Sequence, residues 1–214
     1  MLPRLHLITD DAVLRDARFV PHAEAVCVRC GADVALHLRG HDTGGGALYA
    51  IGERLAAAAA RSGTWLFVND RVDVALAIGA QRVQLGVRSL PIADARSLLG
   101  RDARIGYSVH SALEATRASV EGADFVVAGT IFASASHTPR VPAGSALVRE
   151  CVAGARVPVI AIGGVTLDRI AELAAAQSYG VAVLSAVWHA EDPAAAAAQF
   201  VRVVRRELVA AVEE

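Results

Sequence analysis

Short apolar runs rich in Val, Ile, Leu and Ala alternate with longer, Ala-rich amphipathic runs from one end of the chain to the other. The apolar runs are "LHLITD", "DVALHLRG", "TWLFVND", "RVQLG", "RIGYSVH", "DFVVAGTIF", "PVIAIGG" and "GVAVLSAVW". Continuous apolar segments bounded by turn residues are how strands buried on both faces read. Between them stand helix-like stretches: a weak first one near residues 16–31, then "ALYAIGERLAAAAARSG", "VDVALAIGA", "PIADARSLLG", "SALEATRASVEGA", "SALVRECVAGA", "TLDRIAELAAAQ" and "DPAAAAAQFVRVVRREL". Several carry their own boundaries. Ser111 with Glu114 spells a capping box, Pro91 and Pro193 suit first turns, and Gly63, Gly100 and Gly122 suit C-terminal caps.

Unbroken strand and helix alternation implies a parallel sheet, and eight repeats in 214 residues is the number that closes it. The expected fold is therefore α/β, a single (β/α)8 TIM barrel over residues 1–214, with no linker or composition shift to mark a second domain. An open doubly wound sheet would want a G-x-G-x-x-G turn after the first strand, and "LITDDAV" has none.

A barrel places its chemistry at the C-terminal ends of its strands. The polar residues expected there are Thr9 and Asp10, His37 and Arg39, Asn69 and Asp70, Gln84, Ser108 and His110, Thr130, Gly163 with Gly164, and Ser185. After the sixth strand comes "GTIFASASHTPRVPAG", residues 129–144, small and polar with one histidine, His137. Such a loop is about twice the usual connection. Its place over the mouth suggests a lid.

Charge narrows the partners. Lys and Arg number 21 against 22 Asp and Glu, a formal net charge of -1, so no basic field exists to hold nucleic acid or anionic lipid. "MLPRLHLITDD" carries an acidic pair where a secretory signal needs an apolar run, and a cytoplasmic location is expected. Cys27 and Cys30 form a C-x-x-C, yet late in a helix-like run and with Cys151 as the only other thiol, which reads as small buried side chains rather than a redox or zinc pair.

"AIGGVT" and "VLSA" end strands seven and eight, where barrels often seat a phosphate. Gly163 and Gly164 let backbone approach an anion, and Ser185 with Ala186 adds N–H donors; a tight turn alone needs one glycine. Asp70 has two even readings, a ligand or hydrogen-bond acceptor at the mouth and an N-cap for the next helix. Arg39 shares a strand face with Ala35 and His37 and suits an anion. His110 and His137 are the histidines placed for acid–base work, and His41 reads as a solvated loop residue.

Taken in order, "LITDD", "FVNDRVDVALAIGAQRVQLG", "GYSVHSALEATRASVEGADFVVAGTIF", "VPVIAIGGVT" and "GVAVLSAVW" resemble the thiamine phosphate synthase family and its close relative, the thiazole tautomerase. The resemblance implies a pocket for a small thiazole phosphate, its phosphate on Gly163, Gly164, Ser185 and Ala186, with Arg39, Asn69, Asp70, Ser108 and Thr130 as further substrate contacts. The synthase pattern has Gln-x-Arg-x-Lys after strand two, two metal-binding aspartates and a lysine in the strand-six loop. Here Arg39 remains, His37 and His41 take the glutamine and lysine positions, Asp70 stands for the first aspartate, Ser89 for the second, and His137 for the loop lysine.

Those losses resemble the tautomerase branch, which aromatises a 2-carboxy-thiazole phosphate by proton transfer. The expected enzyme is thus an isomerase with His137 as acid–base, His110 and His37 in reserve, and no metal or cofactor. Thr130 stands where one form of the tautomerase carries its histidine. The alternative is the synthase, a transferase that joins a hydroxymethylpyrimidine diphosphate to thiazole phosphate, with magnesium on Asp70; a second is a regulator that binds thiazole phosphate or thiamine phosphate without turnover. No nucleic-acid or membrane partner is expected, and a homodimer is left open.

Overall fold

Every apolar run becomes a strand, and each strand stops short of the end of its run. The computed structural model describes residues 1–133 and 141–209. β1 (Leu5–Ile8) leads through α1 (Asp11–Arg15) and α2 (Phe19–Cys30) to β2 (Val34–Leu38), then α3 (Gly45–Ser62), β3 (Trp65–Asn69), α4 (Val72–Ala77), β4 (Arg82–Leu85) and α5 (Ile92–Leu99). The second half runs β5 (Arg104–Val109), α6 (Ala112–Val120), β6 (Phe125–Gly129), α7 (Gly144–Gly154), β7 (Val159–Ile162), α8 (Ile170–Ala175), β8 (Gly180–Val183), α9 (Ser185–Trp188) and α10 (Pro193–Val204).

Each strand pairs in parallel with the next, and Leu5 in register with Val181 joins β1 to β8 and closes the ring. The (β/α)8 barrel expected from the alternation is the fold observed. Strand side chains divide by parity. Ile8, Ala35, Phe67, Phe125, Val127, Ile160 and Ala182 fill the barrel, while Leu7, Leu36, Leu38, Val68, Val83 and Ile105 pack outward under the helices. Phe67 and Phe125 meet edge to face, 5.5 Å between centroids. Truncating either to Ala would leave a void with little room to collapse, a loss of about 3–5 kcal/mol.

Two boundaries differ from the sequence reading. "GVAVLSAVW" does not stay extended to Trp188: β8 ends at Val183 and Ser185 opens a helix. The indole explains it, since Trp188 Nε1–H donates to the Ile8 carbonyl at 3.0 Å and the ring stands edge-on to Phe19, contacts a straight strand could not reach. The weak first helix is real as α2, but a short α1 precedes it, capped by Asp10, whose side chain accepts from the Val13 N–H. Pro91 is the N-cap of α5 rather than a first-turn residue.

Half of the capping box on α6 forms as expected, Ser111 accepting from the Glu114 N–H at 3.2 Å, while Glu114 reaches past the N-cap and accepts from the His110 N–H at 2.6 Å. Cys27, Cys30 and Cys151 are free and buried. Burial pushes the thiols of Cys30 and Cys151 up to about 11, which suits packing and not redox work. Among the described residues no helix is long and apolar enough to cross a membrane.

Candidate active site

A cavity of about 1540 Å³ opens at the C-terminal ends of the strands. One drug-sized ligand typically fills roughly 300–1,000 Å³, so two small substrates fit side by side.

On the β7–β8 side the cavity is lined by backbone. Gly163 and Gly164 have φ of 105° and 60°, conformations costly for any residue with a Cβ. Space is absent too: a Cβ on Gly164 would lie 2.3 Å from the Ala133 carbonyl oxygen, and one on Gly163 2.5 Å from Thr130 Cγ2. Both glycines are therefore required, which a simple turn would not demand. Arg169 pins the loop by donating to the Gly164 carbonyl at 2.6 Å while its guanidinium lies over the Phe132 ring. Beside it, Ser185 and Ala186 open α9, and first-turn N–H groups have no acceptor within their own helix.

The β2–β4 side is built from long side chains. Asp11 shapes the loop after β2, accepting from the N–H groups of His41 and Asp42 and from the Thr43 hydroxyl. That places His41 between two guanidiniums: Arg39 reaches His41 Nε2, and Arg88 lies 3.3 Å from His41 Nδ1. A neutral imidazole has one lone-pair nitrogen and can accept from one of them only. The cluster holds more donors than acceptors, and with His41 and Arg88 exposed its spare N–H groups face solvent, where an entering anion can meet them. Burial, then Arg39 and Arg88, depress the His41 pKa. Burial also lowers that of Arg39, with Asp70, Asp10 and Asp11 opposing.

Asp70 sits at φ 62°, a left-handed position uncommon for a non-glycine. The N-cap of α4 is Arg71 and has no side-chain cap bond, so Asp70 does not cap that helix. Its carboxylate instead accepts from the Ser89 hydroxyl, which in turn accepts from the Gly86 N–H at 2.8 Å.

Between these walls, Gln84 Nε2 donates to Ser108 Oγ at 3.0 Å. The Gln84 Oε1 is the one buried side-chain acceptor without a partner among the described residues. His110 Nδ1–H donates to the Gly129 carbonyl, leaving Nε2 as its basic nitrogen.

The barrel thus brings Arg39, Asn69, Asp70, Ser108, His110, Thr130, Gly163, Gly164, Ser185 and Ala186 to one cavity. His137 lies outside the described residues. His37 is not at the mouth: it is fully buried beneath it, bonded to His6. Thr9 and Asp10 also drop out of the lining. Thr9 ties β1 to β2, its hydroxyl donating to the Arg39 carbonyl and accepting the Arg39 N–H. His41 is the exposed loop residue expected, and it also joins the cationic cluster. Arg88 and His6 escaped the sequence reading. The signals were available: strand parity puts His6 inside with Ile8, and Arg88 neighbours Ser89, which marks the lost carboxylate.

The family profile described as thiamine monophosphate synthase matches residues 5–187. The chain belongs to that family. It is 42% identical over 213 residues to the thiamine-phosphate synthase of Methanoregula boonei, covering 98% of this chain and 95% of that one. The corresponding protein of Salinispora arenicola is 39% identical over 201 residues, 94% of this chain and 96% of its own. Among solved structures, the thiamine phosphate pyrophosphorylase of Pyrococcus furiosus superposes with a TM-score of 0.82 at 32% identity, covering 97% of each chain. The protein is thus an enzyme of thiamine biosynthesis, and these relatives carry the synthase name, not the tautomerase name.

Proposed function

We propose that the protein is a thiamine phosphate synthase that couples a pyrimidine methyl diphosphate to a thiazole phosphate, in place of the tautomerase expected from its lost lysines and aspartate. The observation that carries this reading is the Arg39–His41–Arg88 cluster, which spans the mouth from β2 to β4, apart from the glycine cradle on β7 and β8. Two anion-receiving sites in one cavity suit two phosphorylated substrates. A tautomerase substrate, a 2-carboxy-thiazole phosphate, brings one phosphate and one carboxylate, whereas a diphosphate matches the charge of two guanidiniums.

In this reading the cradle of Gly163, Gly164, Ser185 and Ala186 anchors the thiazole phosphate, and the cluster receives the diphosphate. The thiazole nitrogen forms a bond to the pyrimidine methylene carbon as the carbon–oxygen bond to diphosphate breaks. No proton moves in that step, so no base is needed at His110 or His137. Positive charge already in place where negative charge develops lowers the barrier. Arg39 and Arg88 supply it, and Asn69, Ser108 and Thr130 line the space where the rings meet.

Magnesium accompanies diphosphate in the synthase pattern, and the residues here do not form a cage for it. Among the described residues no three His, Cys, Asp or Glu side chains cluster as ligands. Asp70, the remaining carboxylate, already accepts from Ser89. One carboxylate is a poor magnesium site by itself. The guanidinium of Arg88 stands one residue from the missing carboxylate, and the charge it brings acts on the diphosphate directly.

The test is to incubate the protein with both substrates and measure thiamine phosphate by fluorescence after oxidation to thiochrome. Product above a control lacking protein is expected. Aromatisation of the carboxy-thiazole phosphate without any coupling would return the assignment to the tautomerase.

A further inference from the structure

Two histidines run up the barrel interior below the cavity, outside its lining. His6 and His37 are both fully shielded from solvent. His37 stacks on Phe67 with centroids 4.5 Å apart, and His6 tilts against Phe67 and Phe125. Three contacts tie them into a line from the bottom of the barrel to its mouth. His6 Nε2 is 3.0 Å from the Pro3 carbonyl oxygen, His6 Nδ1 is 2.8 Å from His37 Nε2, and His37 Nδ1 is 3.3 Å from Asn69 Oδ1.

Counting protons along that line fixes its direction. A carbonyl only accepts, so His6 Nε2 carries a hydrogen. A neutral ring carries one hydrogen, so His6 Nδ1 is a lone pair and the hydrogen between the rings belongs to His37 Nε2. By the same rule His37 Nδ1 is a lone pair, and whatever faces it must donate. Both rings are neutral because phenyl rings surround them and, among the described residues, no carboxylate touches them. Burial lowers the His6 pKa to about 4, against the opposing bond to Pro3, and holds His37 well below 6.5. Two acceptors do not face each other across 3.3 Å. The Asn69 amide is therefore turned over: Nδ2 donates to His37, and Oδ1 takes the outer position, in the cavity that Asn69 lines.

We propose that His6 and His37 are positioning residues that hold Asn69 with its side-chain oxygen toward the cavity, so that the mouth of β3 accepts a hydrogen bond and selects a nitrogen heterocycle bearing an N–H donor. The synthase reading, on which the identity of the ligand rests, makes that donor the exocyclic amino group of the pyrimidine diphosphate. A ligand offering an acceptor at the same place would meet a lone pair and bind less well.

Two measurements test it. Long-range ¹H–¹⁵N correlation spectra of the wild-type protein at pH 7.5 are expected to show the Nε2–H tautomer for both His6 and His37; an Nδ1–H tautomer or an imidazolium at His37 overturns the proposal. The kinetic arm compares His6→Gln, which can donate to Pro3 and accept from His37, with His6→Phe, which can do neither. His6→Phe is expected to raise KM for the pyrimidine diphosphate about tenfold, the worth of one hydrogen bond, with kcat and the KM for thiazole phosphate unmoved, and His6→Gln to restore wild-type values. Equal behaviour of the two variants, or a joint rise of both KM values, overturns it. If wild-type protein makes no coupled product, the synthase reading fails and the tautomer spectrum alone decides the relay.

Discussion

The β7–β8 side of the mouth offers backbone N–H groups on glycines and at a helix start, whereas the β2–β4 side offers two guanidiniums and an imidazole on long side chains. The first is tied to the fold itself. Its donors belong to the main chain, and the glycines only keep the space clear. The second can change its chemistry by point substitution on an unaltered backbone. That is where this chain departs from the synthase pattern, at His41, Arg88 and Ser89, with His37 buried just below. A barrel of this kind can keep one substrate anchored while the means of holding the other drifts.

The largest break in that comparison should come from the rigid wall. Gly164→Asp puts a Cβ into the Ala133 carbonyl and a carboxylate into the cradle. Calorimetric titration with thiazole phosphate should show affinity reduced by roughly 10³-fold, the order expected for an uncompensated charge in a closed site. Unchanged affinity would falsify the cradle.

Next comes the other wall. Arg39→Ala and Arg88→Ala should each lower kcat/KM for the pyrimidine diphosphate by about 10²-fold, the upper worth of a charge-assisted hydrogen bond. Thiazole phosphate binding should stay intact. If Arg88→Ala is silent, Arg39 alone carries the diphosphate.

Stability offers a third probe, because the buried histidines reach the β2–β4 wall from below through Asn69. Their folded pKa values are depressed, so the unfolded chain takes up protons first as pH drops. Stability is full above about 6.5 and declines toward pH 4; the His6 shift from 6.5 to about 4 alone accounts for about 3 kcal/mol. Thermal melts across that range should show the decline, and His6→Gln should lessen it, leaving the part due to His37. A flat wild-type profile would mean the pair titrates as it does in the unfolded chain.

The smallest expected effects concern His41 and the metal. His41 is depressed while free, and a bound anion should let it take up a proton, so diphosphate affinity should rise several-fold, roughly, as pH falls from 7.5 to 6. His41→Ala should remove that slope. Ser89→Asp should frustrate Asp70 in the free protein and give magnesium a second carboxylate, read as tighter binding in a competition assay with a fluorescent indicator. Equal magnesium affinity in variant and wild type would show that the lost aspartate was not the limiting ligand.

The barrel was plain in the amino-acid order because each strand is short, apolar and bounded, and each helix supplies its own cap or stop. The rigid wall was nearly as plain, since the paired glycines and "SA" declare a need for space. The variable wall is harder to read for a physical reason. Position by position it shows lost lysines and a lost aspartate, whereas the charge of the wall is a sum to which Arg88, beside Ser89 on the same loop, also contributes. That the exposed His41 also meets Arg39 and Arg88 depends on Asp11 holding the β2 loop, a contact thirty positions away in the chain that no local pattern reports. His37 was misplaced by one layer of the barrel, because parity tells inside from outside but not depth.

Trp188 gives the molecule an optical handle. The chain has two tryptophans. One, Trp65, lies under the Arg82 guanidinium among the residues of a separate cavity at the other end of the barrel. The other closes the four-residue helix whose first residues are Ser185 and Ala186, with its indole N–H fastened to the top of β1. Ligand occupancy of the cradle should therefore register in the emission of Trp188 and leave Trp65 dark to the event, so that a Trp65→Phe protein becomes a label-free fluorimeter for thiazole phosphate while the diphosphate, bound across the ring, goes unseen.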